Sequence, residues 1–196
     1  MKIIVNTVPE RKEYFKYLKK NLPDAHFIID TEKRGAMWGY LQSLKYLNNE
    51  NGLVLQDDIV LCYDFYKKVT KEIAKKPFNF INFFSMRKDD LTIGSRWMSN
   101  FLMNQCVYYP NYHSENIIRW HKEYWVPANY EGNRPTSATD LFLRSYLKKN
   151  KIKCWLVIPN LVNHRQGKSS IDSRRSSKRL SFTYIGPRDE INLGKT

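Results

Sequence analysis

At 196 residues the chain has room for one domain with a sizeable core, and its 42% hydrophobic and 14% aromatic content excludes an intrinsically disordered polypeptide. Thirty-three Lys and Arg against 19 Asp and Glu give a formal charge of +14, which draws polyanions: nucleic acid, an anionic membrane surface or phosphorylated glycans. Cys62, Cys106 and Cys154 are odd in number and far apart, without the Cys-x-x-Cys spacing of zinc or redox sites. The start, Met1-Lys2-Ile3-Ile4-Val5-Asn6, turns polar too soon for a signal peptide, and no run approaches the ~20 apolar residues of a membrane span. A cytoplasmic protein, soluble or peripheral, is expected.

Along the chain, residues 2–8 read as a buried strand, and 10–22 as a helix with Tyr14, Leu18 and Leu22 on one face, stopped by Pro23. Residues 25–30 read as a second strand, 35–48 as a helix with Tyr40, Leu44 and Leu47 aligned, and 52–56 as a third strand. Strand, helix, strand, helix, strand predicts an α/β domain with a mainly parallel sheet flanked by helices. Further on, the pattern predicts a helix over 64–75, strands over 78–85 and 104–109, a helix over 114–124 and a loop over 125–136. A helix opened by Ser137-Ala138-Thr139-Asp140 and a last core strand over 152–158 complete the domain.

Leu53-Val54-Leu55 runs into Gln56-Asp57-Asp58 before the chain turns apolar again. Desolvating two adjacent carboxylates is costly unless a cation or a set of donors answers them. Either the pair is a solvated strand-end turn that caps the next helix, or it holds a hard divalent cation such as Mg2+ or Mn2+ and, through it, a pyrophosphate. The first three strands all end in polar residues, at Asn6 and Thr7, at Asp30 and at Gln56 to Asp58, where parallel sheets bind ligands. That convergence favours the cation.

The strand ending Gln56-Asp57-Asp58, the helix start Gly35-Ala36-Met37-Trp38, the strand ending at Asp30, and the late Asn163-His164 followed by Gly167-Lys168-Ser169-Ser170 together resemble a GT-A fold glycosyltransferase. More narrowly, the chain is similar to the small phage and bacterial transferases related to glycosyltransferase family 25. Gln-Asp-Asp stands where that family carries Asp-x-Asp or Glu-Asp-Asp, so Gln56 departs from the pattern by one carboxylate. The resemblance implies a GT-A (Rossmann-like) core over residues 1–162 and a basic segment over 163–196 that closes the site. It implies Asp58 and His164 as ligands of Mn2+ or Mg2+, with Asp57 beside them at the metal or the ribose. Arg165 and Lys168 would bind the diphosphate as cations, and Ser169 or Ser170 would donate to its oxygens. Thr7, Val8, Arg11 and Asp30 would hold the base and ribose, and Trp38 would stack near the sugar. Asp140, at a helix start whose dipole keeps it ionised, would be the general base.

The donor so implied is a nucleoside-diphosphate sugar, UDP-glucose by family frequency. For the acceptor the charge is informative, because an enzyme that modifies duplex DNA must neutralise several phosphates and expose its target base. A 5-hydroxymethyl pyrimidine in double-stranded phage DNA is the leading expectation. The alternatives are a transferase of lipopolysaccharide or capsule synthesis and a non-catalytic nucleic-acid-binding module.

Overall fold

The computed structural model describes residues 1–125, 138–165 and 179–187. Strand β1 (Lys2–Thr7) buries Ile4 on one face and Ile3 and Val5 on the other, so it needs a layer on each side. A 3-10 turn at Pro9–Arg11, with proline where its missing N–H costs nothing, leads into α1 (Lys12–Asn21). Strand β2 (His26–Ile29), α2 (Ala36–Leu47) and β3 (Gly52–Gln56) complete the expected alternation. Then come β4 (Ile59–Leu61), α3 (Phe65–Lys75), β5 (Phe80–Asn82), the short α4 (Asp90–Ile93), β6 (Arg96–Trp97) and β7 (Cys106–Tyr109). Helix α5 (Ser114–Trp120) continues into a π-helical turn, His121–Trp125. Helix α6 (Thr139–Lys149), β8 (Cys154–Leu156) and β9 (Val162–His164) follow.

Seven strands form one sheet in the order β2-β1-β3-β7-β5-β8-β6, and β4 pairs with β9 in a second, two-stranded sheet. Strands β2, β1, β3, β5 and β8 run one way, while β7 and β6 oppose them. This is the mixed α/β domain, with a mainly parallel sheet flanked by helices, that the alternation predicts. On one face Tyr40, Leu44 and Leu47 of α2 pack with Ile117 of α5 and with Phe142, Leu143 and Leu147 of α6. On the other, Leu18 of α1 and Phe65 and Val69 of α3 pack with the small sheet.

The structure differs from the periodicity where side chains intercept the backbone. The aromatic run 78–85 is regular strand only over Phe80–Asn82; Phe83 still donates to the Cys106 carbonyl at 3.0 Å, and the pairing ends at Phe84, whose N–H is taken by Asn82 Oδ1. Phe83 and Phe84 are nonetheless fully buried. The stretch 104–109 becomes a strand only at Cys106: Met103 has φ 64°, and Asn104 Nδ2 donates to Thr139 Oγ1. Helix α6 starts at Thr139 without a side-chain cap, and Ser137 of the expected capping box lies outside the described residues. Residues 182–185 form no strand. The Tyr184 hydroxyl instead donates to the Leu61 carbonyl at 2.8 Å. Among the described residues no helix is long and apolar enough to cross a membrane.

Candidate functional site

The acidic pair lies on the turn between β3 and β4, the link between the two sheets. Strand β9 comes back antiparallel with His164 opposite Ile59, and the Arg165 N–H extends the pairing to the Asp58 carbonyl at 2.8 Å. A residue more than a hundred positions away in sequence is thereby set beside the pair. The orientation of its ring follows from one hydrogen bond: Nδ1 lies 2.6 Å from the Arg165 carbonyl, an oxygen that only accepts, so Nδ1 carries a proton. Nε2 is then the ring nitrogen turned to the acidic pair. It faces Asp58 Oδ2 at 3.3 Å, and neither Nε2 nor Asp58 Oδ1 has a hydrogen-bond partner among the described residues.

Asp57 points to the other flank of the turn. It is buried, accepts from Thr7 Oγ1 at 2.7 Å, and is paired with the Arg11 guanidinium, which also reaches Asp58 Oδ2 at 3.4 Å. Burial, reinforced by the charge of Asp58, pushes the Asp57 carboxyl up to about 6 against the opposing pull of Arg11 and Thr7. Burial also opposes ionisation of Asp58, but His164, Arg11 and Arg179 outweigh it and hold that carboxyl well below the usual carboxylate range.

These groups open onto a cleft of about 480 Å³ along the carboxyl ends of β1, β2 and β3. Of the residues singled out by sequence, Thr7, Val8, Arg11, Asp30, Gln56, Asp57, Asp58 and Asp140 line it. His164 reaches it through Asp58. Asp30 is committed to the loop before α2, with Oδ1 accepting from the Arg34 N–H at 3.0 Å and Oδ2 from the Gly35 N–H at 2.7 Å. Burial resists its charge, but those two amides and Arg34 keep its carboxyl below the usual range.

Two residues are placed elsewhere. Trp38 is not part of the lining; it packs against the core, with the Arg34 guanidinium 3.6 Å above its ring. Arg165 is 1% exposed, its guanidinium lies 4.9 and 4.4 Å from the rings of Tyr14 and Tyr17, and it is not among the residues that line the cleft. Lys168 and Ser169 fall outside the described residues. The lining also contains Asn6, already marked as a polar strand end, and residues the sequence did not single out: Gly39, Asn104, Gln105 and Arg179. For Asn104 and Gln105 the signal in the sequence is slight, a carboxamide at the entrance of an apolar strand, and Gly39 and Arg179 carry none.

No protein-family model matches the chain, and no curated protein does. Solved structures do resemble it. A glycosyltransferase involved in the glycosylation of the major capsid of PBCV-1 superposes with a TM-score of 0.51 at 11% identity, over 86% of this chain and 95% of that one. A197 from STIV superposes with a TM-score of 0.50 at 15% identity, over 95% of this chain and 97% of its own. CTP:phosphocholine cytidylyltransferase from Streptococcus pneumoniae gives 0.50 at 12% identity, over 82% and 72%. The likeness establishes a fold shared with glycosyl- and nucleotidyltransferases.

Proposed function

We propose that the protein is a glycosyltransferase that moves a sugar from a nucleoside-diphosphate sugar to a hydroxyl acceptor. The observation that carries this reading is the pair formed by Asp58 and His164. His164 Nε2 and Asp58 Oδ2 face each other at 3.3 Å, and Nε2 and Asp58 Oδ1 have no hydrogen-bond partners among the described residues, so an imidazole nitrogen and a carboxylate stand together as a donor set suited to a divalent cation. The Nδ1–H bond to a backbone carbonyl is the support that metal-binding imidazoles commonly have. The residues fit Mn2+ or Mg2+. Asp58 and His164 would hold the metal from the protein side, and the ion would supply hard positive charge for a diphosphate. Such a metal supplies positive charge to the departing nucleoside diphosphate.

The chain's own residues then have distinct tasks. Thr7 and Arg11 hold Asp57, and through it the turn that carries Asp58. Thr7, Val8 and Asp30 border the nucleoside, Lys168 and Ser169 are assigned to the diphosphate, and Asp140 takes the proton of the acceptor hydroxyl as its oxygen attacks the anomeric carbon. Nucleotidyl transfer on this fold is less well supported: a triphosphate is commonly cradled by a glycine-rich loop, and the β1–α1 connection here is Val8-Pro9-Glu10-Arg11. The acceptor reading, a 5-hydroxymethyl pyrimidine in duplex DNA, is supported by the formal charge of +14.

Thermal unfolding with nucleoside diphosphates, with and without Mn2+, tests the donor site. One of them, at a hundred times its dissociation constant, is expected to add about 2.7 kcal/mol in the presence of metal, and Asp58→Ala is expected to abolish the gain. A flat response to all of them, or an undiminished gain in the variant, refutes the reading.

A further inference from the structure

Successive strand residues point to opposite faces, so Asn6 is turned away from Thr7 and toward the layer of α2 and α6. In the sheet Asn6 is in register with Gln56, and the Gln56 N–H donates to the Gln105 carbonyl at 2.9 Å. Three carboxamides thus stand side by side across β1, β3 and the entrance to β7, and all three line the cleft. Asn6 and Gln105 are each 8% exposed, yet Asn6 Nδ2 and Gln105 Oε1 have no partner among the described residues. The Asn6 amide is oriented by Ser43, whose hydroxyl donates to Oδ1 at 2.9 Å and leaves the NH2 as the unused group. Gly39 keeps α2 close to this row, since a Cβ there would stand 3.2 Å from Asn6 Oδ1.

Buried polar groups in folded proteins are almost always paired, and an orphaned donor at one end of the row and an orphaned acceptor at the other call for a ligand that offers both acceptors and donors. A sugar hydroxyl is such a partner, and a row of carboxamides meets several hydroxyls of one ring. The cationic side chains of the lining are engaged elsewhere: Arg11 and Arg179 act on the acidic pair, and Lys33 is paired with Glu10 at 3.0 Å. On the carboxamide face the charged lining residue is Asp140, which repels anions. We infer that Asn6, Gln56 and Gln105 form the subsite for the transferred sugar and select a neutral polyhydroxylated ring over a uronic acid. This rests on the donor-site reading above, with charge on one face of the cleft and hydroxyl recognition on the other.

Calorimetric titration in Mn2+ tests it, using UDP, UDP-glucose and UDP-glucuronate and, in parallel, GDP, GDP-mannose and GDP-mannuronate. With the responding base, the neutral conjugate is expected to bind about tenfold tighter than the uronate, the value of one well-made hydrogen-bond pair. Gln105→Ala is expected to weaken the neutral conjugate about tenfold, with the parent diphosphate unchanged within twofold. Its Tm should match or exceed that of the parent protein, because an orphaned buried group has been removed. Gln56→Ala should show the same split between conjugate and diphosphate. Equal losses for diphosphate and conjugate, no preference for the neutral sugar, or a lower Tm with conjugate binding intact overturns the inference alone. Binding of neither UDP nor GDP, together with a flat thermal response to every other nucleoside diphosphate in Mn2+, overturns the donor site and this inference together.

Discussion

Arg11 stands between two carboxylates that would otherwise repel each other, and its own side chain is only 18% exposed. From the sequence it reads as a nucleoside contact after the first strand; in the fold it lines the cleft and is also paired with the acidic turn. Removing one partner of a buried pair leaves an uncompensated charge, so Arg11→Ala is expected to cost about 3 kcal/mol in denaturant unfolding. Mn2+ should restore more stability to that variant than to the parent, since a cation then relieves the carboxylates. An undiminished unfolding free energy would show that Arg11 does not neutralise the pair. Asp30 was legible as a polar strand end, but not its commitment to two backbone amides, which depends on Gly35 adopting φ 94° five residues later. Arg165 was legible as a cation and not as a buried one, because Tyr14 and Tyr17 that receive it lie about 150 positions earlier.

At the scale of elements, the three-residue strands β4 and β9 matter most, and neither has a periodic signature. Leu61 shows how so short a strand is held: its N–H donates to the Tyr17 hydroxyl at 3.0 Å, and its carbonyl accepts from the Tyr184 hydroxyl. Helix α1 and the 179–187 segment thus clamp the strand that follows the acidic pair. Tyr17→Phe leaves that N–H without its acceptor and is expected to cost about 1 to 2 kcal/mol, measured by thermal unfolding. Hydrogen exchange at Leu61 should quicken in the same variant, and unchanged protection there would mean that the hydroxyl does not secure the strand. The expected divide between residues 162 and 163 falls inside β9, whose Val162, Asn163 and His164 are all buried. Strong amphipathic periodicity placed α1, α2, α3 and α6 within a few residues. The long aromatic and carboxamide stretches misled because Asn82 Oδ1 takes the Phe84 N–H and Met103 has a left-handed conformation.

For the whole molecule, the cleft lies at the carboxyl edge of the parallel strands, while the charge of +14 is spread over the entire chain. Four of the basic residues that attract attention in the tail, Lys168, Arg174, Arg175 and Lys178, fall outside the described residues. If duplex DNA is the acceptor, affinity should fall with salt by a slope of about 0.9 per phosphate neutralised on a log-log plot. Affinity that is flat in salt removes DNA from the proposal and leaves the donor site standing. The alternation of strands and helices, the convergence of polar strand ends at the carboxyl edge, where the cleft lies, and the oddity of Gln56-Asp57-Asp58 were all in the sequence, because hydrophobic periodicity and the cost of burying charge act over neighbouring residues. The placing of His164 against Asp58, the closure of Arg11 on the pair and the row of Asn6, Gln56 and Gln105 were decided only by tertiary structure. Each depends on strand register between distant segments, and register is set by the packing of the whole sheet rather than by any local run of residues.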